Sequence, residues 1–429
     1  MGSKGGDAEM TDAVKTRYFR AWPLIVYAIL CYFTTSTVAS SMNIAAGVLE
    51  DARGWSAVAI TSAISLASLA NVAMGYIAGR ACSRFSPRLI CLVWGALYIA
   101  GVACMGVSRI FSLFIVSMVL ANAAASAWGY NTVPVLITNW FPTKKGMVQG
   151  FVSMGIPLGA GFASMVYAWG LRTWGVDAAF LPFIIIAAIT LVLLMLGISD
   201  MPENRGLTPD TMERCAVEAV PSASLGAGSA DEPTRFFAPD LRFLLLSAVL
   251  GFQLLYSGGL MVQIAPRLFE LGYTMDEAVL AMLVSAGFAC AGSFICGAIG
   301  DKFGSKLGVT ITFILGIAAI ALNLIGNPVA VFVSLALIGV VTGSADNWPV
   351  NICAEAYGRI GFTKAFGTMF PIIQLVGAIG PSFFALIAGA SGSYALSYGA
   401  GAVLMVIGLI AFLVLMRPGA QERGMSSGK

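Results

Sequence analysis

Long apolar runs separated by short polar punctuation dominate this chain. About 20 predominantly apolar residues suffice for a helix to cross a bilayer. Twelve such runs are read: Pro23–Val48, Ala57–Gly79, Leu89–Val107, Phe111–Trp140, Met147–Gly170, Ala179–Ile198, Leu241–Pro266, Glu277–Gly300, Leu307–Ile325, Val329–Cys353, Phe366–Gly389 and Tyr394–Leu415. Strands do not compete, because lipid offers no partners to the backbone of an open sheet. Most connections are short, so consecutive helices are expected to be neighbours. One stretch differs. Asp200–Asp240 is polar, holds Pro202, Pro209, Pro221 and Pro233 around a Ser/Ala/Gly-rich centre, and reads as a linker with a short amphipathic turn around Thr211–Val217. The expected architecture is an all-α polytopic membrane protein, with twelve transmembrane helices in two pseudo-symmetric six-helix halves. Its expected divisions are an N-terminal segment at 1–20, a bundle at 21–199, the linker at 200–240, a second bundle at 241–416 and a tail at 417–429.

Composition agrees and adds direction. The 429 residues are 58% hydrophobic and 10% charged, whereas a soluble domain carries about 25% charged residues. The lipid bilayer is the expected solvent. With the N-terminus in the cytoplasm, only Arg53, Arg109, Arg172 and Arg267 of the 24 Lys and Arg fall on the external side. This bias predicts cytoplasmic termini and a cytoplasmic linker. The expected location is the plasma membrane, a bacterial inner membrane. Arg267 reads as a side chain snorkelling to the interface, with attraction of anions as the alternative. A net charge of +3 in small clusters argues against a nucleic-acid partner. There is no His, and the eight Cys show no C-x-x-C spacing. Neither a metal site nor a cofactor is expected, and His-based catalysis is impossible. No G-x-x-x-x-G-K-[ST] phosphate loop occurs, which leaves ATP drive without support. The expectation is a monomer that is not an enzyme.

Two short segments mark an internal repeat. GRACSRFSPR runs from Gly79 to Arg88, and GAIGDKFGSK from Gly297 to Lys306. Both begin with Gly, carry a basic residue at the sixth and tenth positions, and place Phe after the first of these. About half a chain length separates them. A second pair lies at a similar offset, Val133–Pro134–Val135 and Trp348–Pro349–Val350. A repeated six-helix unit implies a two-halved transporter with its solute between the halves at mid-membrane.

Twelve spans, a central linker and the paired loop motif resemble the major facilitator superfamily over about the whole chain. In the second loop Gly297, Asp301, Lys302, Gly304 and Lys306 occupy the places the family motif uses. In the first, Ser83 stands where the family has Asp, and Ser86 where it has Gly. The resemblance implies that the motif acidic residue latches the two halves on the cytoplasmic side. Asp301 and Lys302, and more weakly Ser83 and Arg84, are the corresponding gate candidates. Asn139–Gly161 (NWFPTKKGMVQGFVSMGIPLGAG) and Gly258–Thr274 (GGLMVQIAPRLFELGYT) are similar to the oxalate/formate antiporter and monocarboxylate porter group. That group holds its carboxylate with an Arg in the eighth helix and often a Lys in the eleventh. Here those positions are Ser293 and one near Gln374. This departure argues against a dianion such as oxalate.

A charge inside a span is costly and usually has a role. Asp346, in TGSADNWPVN, is the clear case. It reads as a proton site or a partner for a substrate cation, with a hydrogen bond to backbone broken near Pro349, or simple exposure at the cytoplasmic mouth, as the plainer alternatives. Pro134 and Pro349 each free a backbone carbonyl and can kink a helix. Trp128, Tyr130 and Asn131 surround the first, and Asp346, Asn347 and Trp348 the second. The first span is rich in hydroxyls, from which Thr37 and Asn43 are the cavity candidates, although helix packing explains most of the set. Gln253 and Tyr256 in the seventh span and Gln374 in the eleventh complete the expected pocket. Asn131, Tyr256, Asn347 and Gln374 are its leading contacts.

These residues predict a secondary active transporter working by alternating access. The resemblance favours a monocarboxylate or amphipathic organic acid, with a proton as coupling ion and Asp346 as its carrier. The alternative is a proton-driven exporter of neutral or cationic amphipathic compounds, toward which the missing membrane cations and abundant Met and Phe lean. A non-transporting membrane sensor is a third reading, with no signalling segment in its favour.

Overall fold

The computed structural model describes residues 4–205, 209 and 241–416, and the expected turn at Thr211–Val217 lies outside them. Among the described residues every regular element is helical, and twelve helices are long and apolar enough to cross a membrane. They are α1 (Trp22–Met42), α2 (Ser62–Ala81), α3 (Pro87–Val107), α4 (Phe111–Trp140), α5 (Lys145–Ala163), α6 (Val176–Gly197), α7 (Leu241–Glu270), α8 (Asp276–Phe303), α9 (Ser305–Ile325), α10 (Pro328–Ala345), α11 (Gly361–Ser391) and α12 (Tyr394–Leu415). The chain is a multi-pass membrane protein.

Local signals set the helix starts. Ser86 accepts from the Leu89 backbone, Asn327 from Ala330 and Ser393 from Ala395, each satisfying an orphan N–H. Thr274 and Glu277 form a reciprocal capping box at the start of α8. Leu69, Leu196, Val329 and Leu386 lie exposed on the outer faces. In a bilayer those faces meet hydrocarbon rather than water.

Packing repeats with a six-helix period. The neighbours α1–α5, α2–α4, α3–α6 and α1–α6 have their counterparts in α7–α11, α8–α10, α9–α12 and α7–α12. Buried apolar side chains form two clusters, one from Leu24 to Ile198, the other from Phe243 to Phe412 with Val135 joining it from the first half. Small residues let the backbones approach. A Cβ on Gly343 would run into the Ala289 backbone, and one on Gly339 would meet Ser285.

Two kinks interrupt the helices where the prolines were expected to act. In α4, Ser126–Asn131 forms a π turn ahead of Pro134. The proline cannot donate to the Tyr130 carbonyl one turn back. Asn131 Nδ2 donates to the Ser126 carbonyl (2.9 Å), and Thr132 Oγ1 to that of Ala127 (2.5 Å), so side chains satisfy the widened turn. The tenth span, expected as one run to Cys353, breaks at Asp346, three residues before Pro349. Helix resumes at Asn347 and reverses direction at Gly358, whose φ of 60° is in the left-handed region that favours glycine.

At the ends opposite the loop motifs, one arginine per half pins an inner helix. Arg53, following α1, donates to the carbonyls of Gly106 and Ser108 and pairs with Asp177 at 3.1 Å. Arg267, in α7, donates to Asn323 Oδ1 (3.0 Å) and pairs with Glu270 (2.7 Å). Arg267 is buried. It therefore neither snorkels nor faces the mouth, because its guanidinium finds protein partners.

Candidate functional site

The halves meet in two seams, α5 against α8 and α2 against α11. Glycines make both seams close. Gly146 and Gly150 face Gly297 and the Ser293 carbonyl, and Gly79 lies against Gly367, with no room for a Cβ at any of these contacts. The contacts run from the level of Asn347 toward the ends that carry the loop motifs. No comparable packing joins α1 to α7. The cleft between the halves is therefore closed at the loop-motif end and parts toward the other.

At the closed end the second motif crosses the interface. Asp301 Oδ1 accepts from the Gly146 N–H (2.9 Å) and Oδ2 from the Met147 N–H (2.7 Å). These are free donors in the first turn of α5, where a carboxylate also meets the positive end of the helix dipole. Lys145 lies in electrostatic reach of both Asp301 and Glu355. Glu355 accepts from the N–H (3.0 Å) and hydroxyl (2.7 Å) of Ser305, capping α9. Lys302 is exposed and lies 5.2 Å from the Phe303 ring, outside this latch. In the first motif neither Ser83 nor Arg84 bonds across the halves among the described residues. Ser83 donates to the Arg80 carbonyl of its own turn (2.7 Å), and Arg84 is exposed.

Above the latch lies a layer of polar groups from both halves. Asn347 accepts from the Ser153 hydroxyl of the first half, and its Nδ2 donates to Ser293 Oγ (3.0 Å) in its own. Beside it Asp346 is half-buried. Among the described residues its carboxylate makes no hydrogen bond or ion pair. The hydroxyls of Tyr32 and Tyr130, from α1 and α4, lie within its electrostatic reach. Their rings stack at 6.0 Å, and Gln149 Nε2 donates to the Tyr32 hydroxyl (3.1 Å). Gln374 is half-buried on the α11 face that carries Gly367 and Pro371, about one turn further from the closed end. Among the described residues the floor of the cleft thus holds one carboxylate, two phenols and several amides and hydroxyls, with no cation.

Of the expected contacts, Tyr130, Asp346 and Asn347 come together at this floor. Others turn elsewhere. Trp128 is buried inside the first half, 5.1 Å from the Tyr98 ring, and Trp348 inside the second, donating to Thr312 Oγ1 (3.0 Å) beside Gly308. Trp128 lies over Gly95 of α3 and Trp348 over Gly308 of α9, in the space those glycines leave. Tyr256 donates to the Gly316 carbonyl of α9 (3.3 Å), and Thr37 returns its hydroxyl to Phe33 beside Gly159. Gln253 is buried, and its amide makes no hydrogen bond among the described residues. Asn131 is held in the π turn beside Gly75 of α2. The side chain of Asn43 lies outside the described residues. Tyr32, Gln149 and Ser153 were not anticipated. Gln149 and Ser153 stand one helical turn apart in an otherwise apolar span, a signal that the spacing alone supplies.

Two six-helix halves, a polar floor between them and a latch at one end define a two-domain membrane carrier fold. The family model of the Major Facilitator Superfamily matches residues 28–381, and the chain belongs to that superfamily. The oxalate:formate antiporter of Oxalobacter formigenes is 27% identical over 173 residues, covering 40% of this chain and 41% of that protein. Among solved structures, the proton:xylose symporter XylE bound to 6-bromo-6-deoxy-D-glucose superposes with a TM-score of 0.68 at 14% identity, covering 92% of this chain and 95% of that one. A double-tryptophan XylE variant gives 0.72 at 15% identity over 94% and 96%. The human organic anion transporter MFSD10 gives 0.66 at 13% identity over 91% and 99%. At such identities these likenesses establish the fold.

Proposed function

We propose that this superfamily member is a secondary active transporter that carries a small monocarboxylate or amphipathic organic acid by alternating access, with Asp346 carrying the coupled proton. The loop-motif end is the cytoplasmic end in this reading, so the described state is open to the outside. One observation carries the assignment: Asp346 stands half-buried at the floor of the cleft with no cation or hydrogen-bond donor among the described residues, within electrostatic reach of two phenols of the other half. A desolvated carboxylate without a fixed counter-charge is suited to gain and lose a proton as its surroundings change. Ser293, and a position near Gln374, stand where the related porter group places cations. A site without fixed positive charge suits a monoacid moving with a proton better than a dianion.

A second reading rests on the same carboxylate. Asp346 without a counter-ion would also receive the ammonium group of an amphipathic amine. One experiment separates the two. Asp346→Asn keeps the shape and one acceptor. For a proton-coupled acid it should abolish pH-gradient-driven accumulation in proteoliposomes while equilibrium exchange stays within about tenfold of the parent. For amine recognition it should remove binding itself. Unchanged gradient-driven accumulation would overturn the assignment of Asp346 as the proton carrier.

A further inference from the structure

Polar residues recur at four-residue spacing on both sides of the α5 seam. On α5 they are Lys145, Gln149 and Ser153; on the segment following Asp346 they are Asn347, Asn351 and Glu355. The two stripes run antiparallel. The inner members Ser153 and Asn347 are hydrogen-bonded across the halves, and the outer members Lys145 and Glu355 interact electrostatically. The middle members behave differently. Gln149 and Asn351 are each 1% exposed. Gln149 Oε1, Asn351 Oδ1 and Asn351 Nδ2 make no hydrogen bond among the described residues. Asn351 lies in a notch between Gly146 of α5 and Gly300 of α8, where neither neighbour has a side chain to answer it.

Burying two amides with two acceptors and one donor unmet disfavours the closed seam. Apolar residues there would close it better. These groups gain partners once the halves separate at the loop-motif end, because the notch then opens to the cleft, beyond Asp346. We infer that Gln149 and Asn351 form a second solute station, concealed in the present state and exposed in the opposite one, that receives a hydroxyl group of the solute. A hydroxyl both donates and accepts, and so answers one of the acceptors and the donor. A bare carboxylate only accepts, and would leave both acceptors unpaired. The inference rests on the reading above and narrows its substrate class to hydroxy-substituted monocarboxylates.

The test compares acids that differ by one hydroxyl. Labelled lactate and propionate, and glycolate and acetate, are supplied to membrane vesicles of both orientations carrying the full chain, either parent or Asn351→Leu. The readout is the kcat/KM ratio within each pair. A change in the equilibrium between the two open states scales both acids alike and cancels in that ratio. The station predicts that, from the loop-motif face, the parent prefers the hydroxy acid and Asn351→Leu lowers that preference about tenfold, because the parent amides discriminate by being left unpaired. Asn351→Ser, which keeps a hydroxyl, should restore part of the preference. A ratio unmoved by Asn351→Leu at the loop-motif face, even with slower flux of both acids, would overturn the station and leave a purely structural seam. Absence of flux of any of the four acids in the parent would overturn the carboxylate reading itself, and the station with it.

Discussion

The two loop motifs occupy equivalent places in the two halves, yet only one of them reaches across the interface with a side chain. Asp301 hands both carboxylate oxygens to the first turn of α5, whereas Ser83 bonds back to its own Arg80 carbonyl. Both seams are nonetheless closed, and both by glycine: Gly146 and Gly150 on Gly297 and Ser293 at the latched seam, Gly79 on Gly367 at the unlatched one. The first loop still has an acid, but uses it inside its own half. Asp200 accepts from the Ser86 hydroxyl (2.5 Å) and the Arg88 N–H (2.7 Å), where α3 begins. Glu355 does the same for α9 in the other half. What differs is therefore a single cross-half charge. Closure needs complementary backbone surfaces on both sides and an electrostatic clasp on only one.

The largest effect should come from the surface the two seams share. Gly79→Leu places atoms where the Gly367 backbone lies. Overpacking of this kind costs about 1–3 kcal/mol, which would move the closed state's population by one to two orders of magnitude. Spin labels at Thr143→Cys and Lys302→Cys, on opposite halves, should report a wider separation, and transport should fall accordingly. A distance distribution like the parent's would show that the unlatched seam tolerates side chains.

Removing the clasp should matter less. Asp301→Ala deletes two charge-assisted hydrogen bonds at a helix N-terminus, a loss of about 1–2 kcal/mol at a partly exposed site. The same label pair should shift toward the open population by about tenfold, and more weakly in high salt, which screens exposed charge. Smaller still is the effect of equalising the loops. Ser83→Asp supplies the acid the first motif lacks and should stabilise closure by about 0.3–1 kcal/mol. Combined with Asp301→Ala, it should return part of the closed population. No recovery in that double variant would mean that the first loop cannot reach across.

The fold was legible because a span is a matter of length and composition. Even the kinks were legible, since Pro134 and Pro349 announce a missing donor wherever they stand. The direction of side chains was not. In a soluble helix the polar face marks the outside, whereas a membrane helix is apolar toward lipid and toward its neighbours alike. Trp128 and Trp348 therefore looked like cleft residues next to their prolines, and only the structure sets them against α3 and α9. The informative positions were polar ones in register. Asp346 and Asn347 were found by their cost, while Gln149 and Ser153 needed the four-residue spacing to be read on α5 as well.

The arginine pins bear on how such a molecule moves. Arg53 fastens the end of α1 to the α3–α4 and α5–α6 turns, and Arg267 fastens α7 to α9 and, through Glu270 and Ser393, to the start of α12. Helices tied this way cannot peel from their bundles one at a time. Motion at that rim is carried by each half as a solid lever, with the layer around Asp346 and Asn347 as its fulcrum. In the alternating-access reading proposed above, work done by a solute at one mouth is then delivered to the other by the whole half.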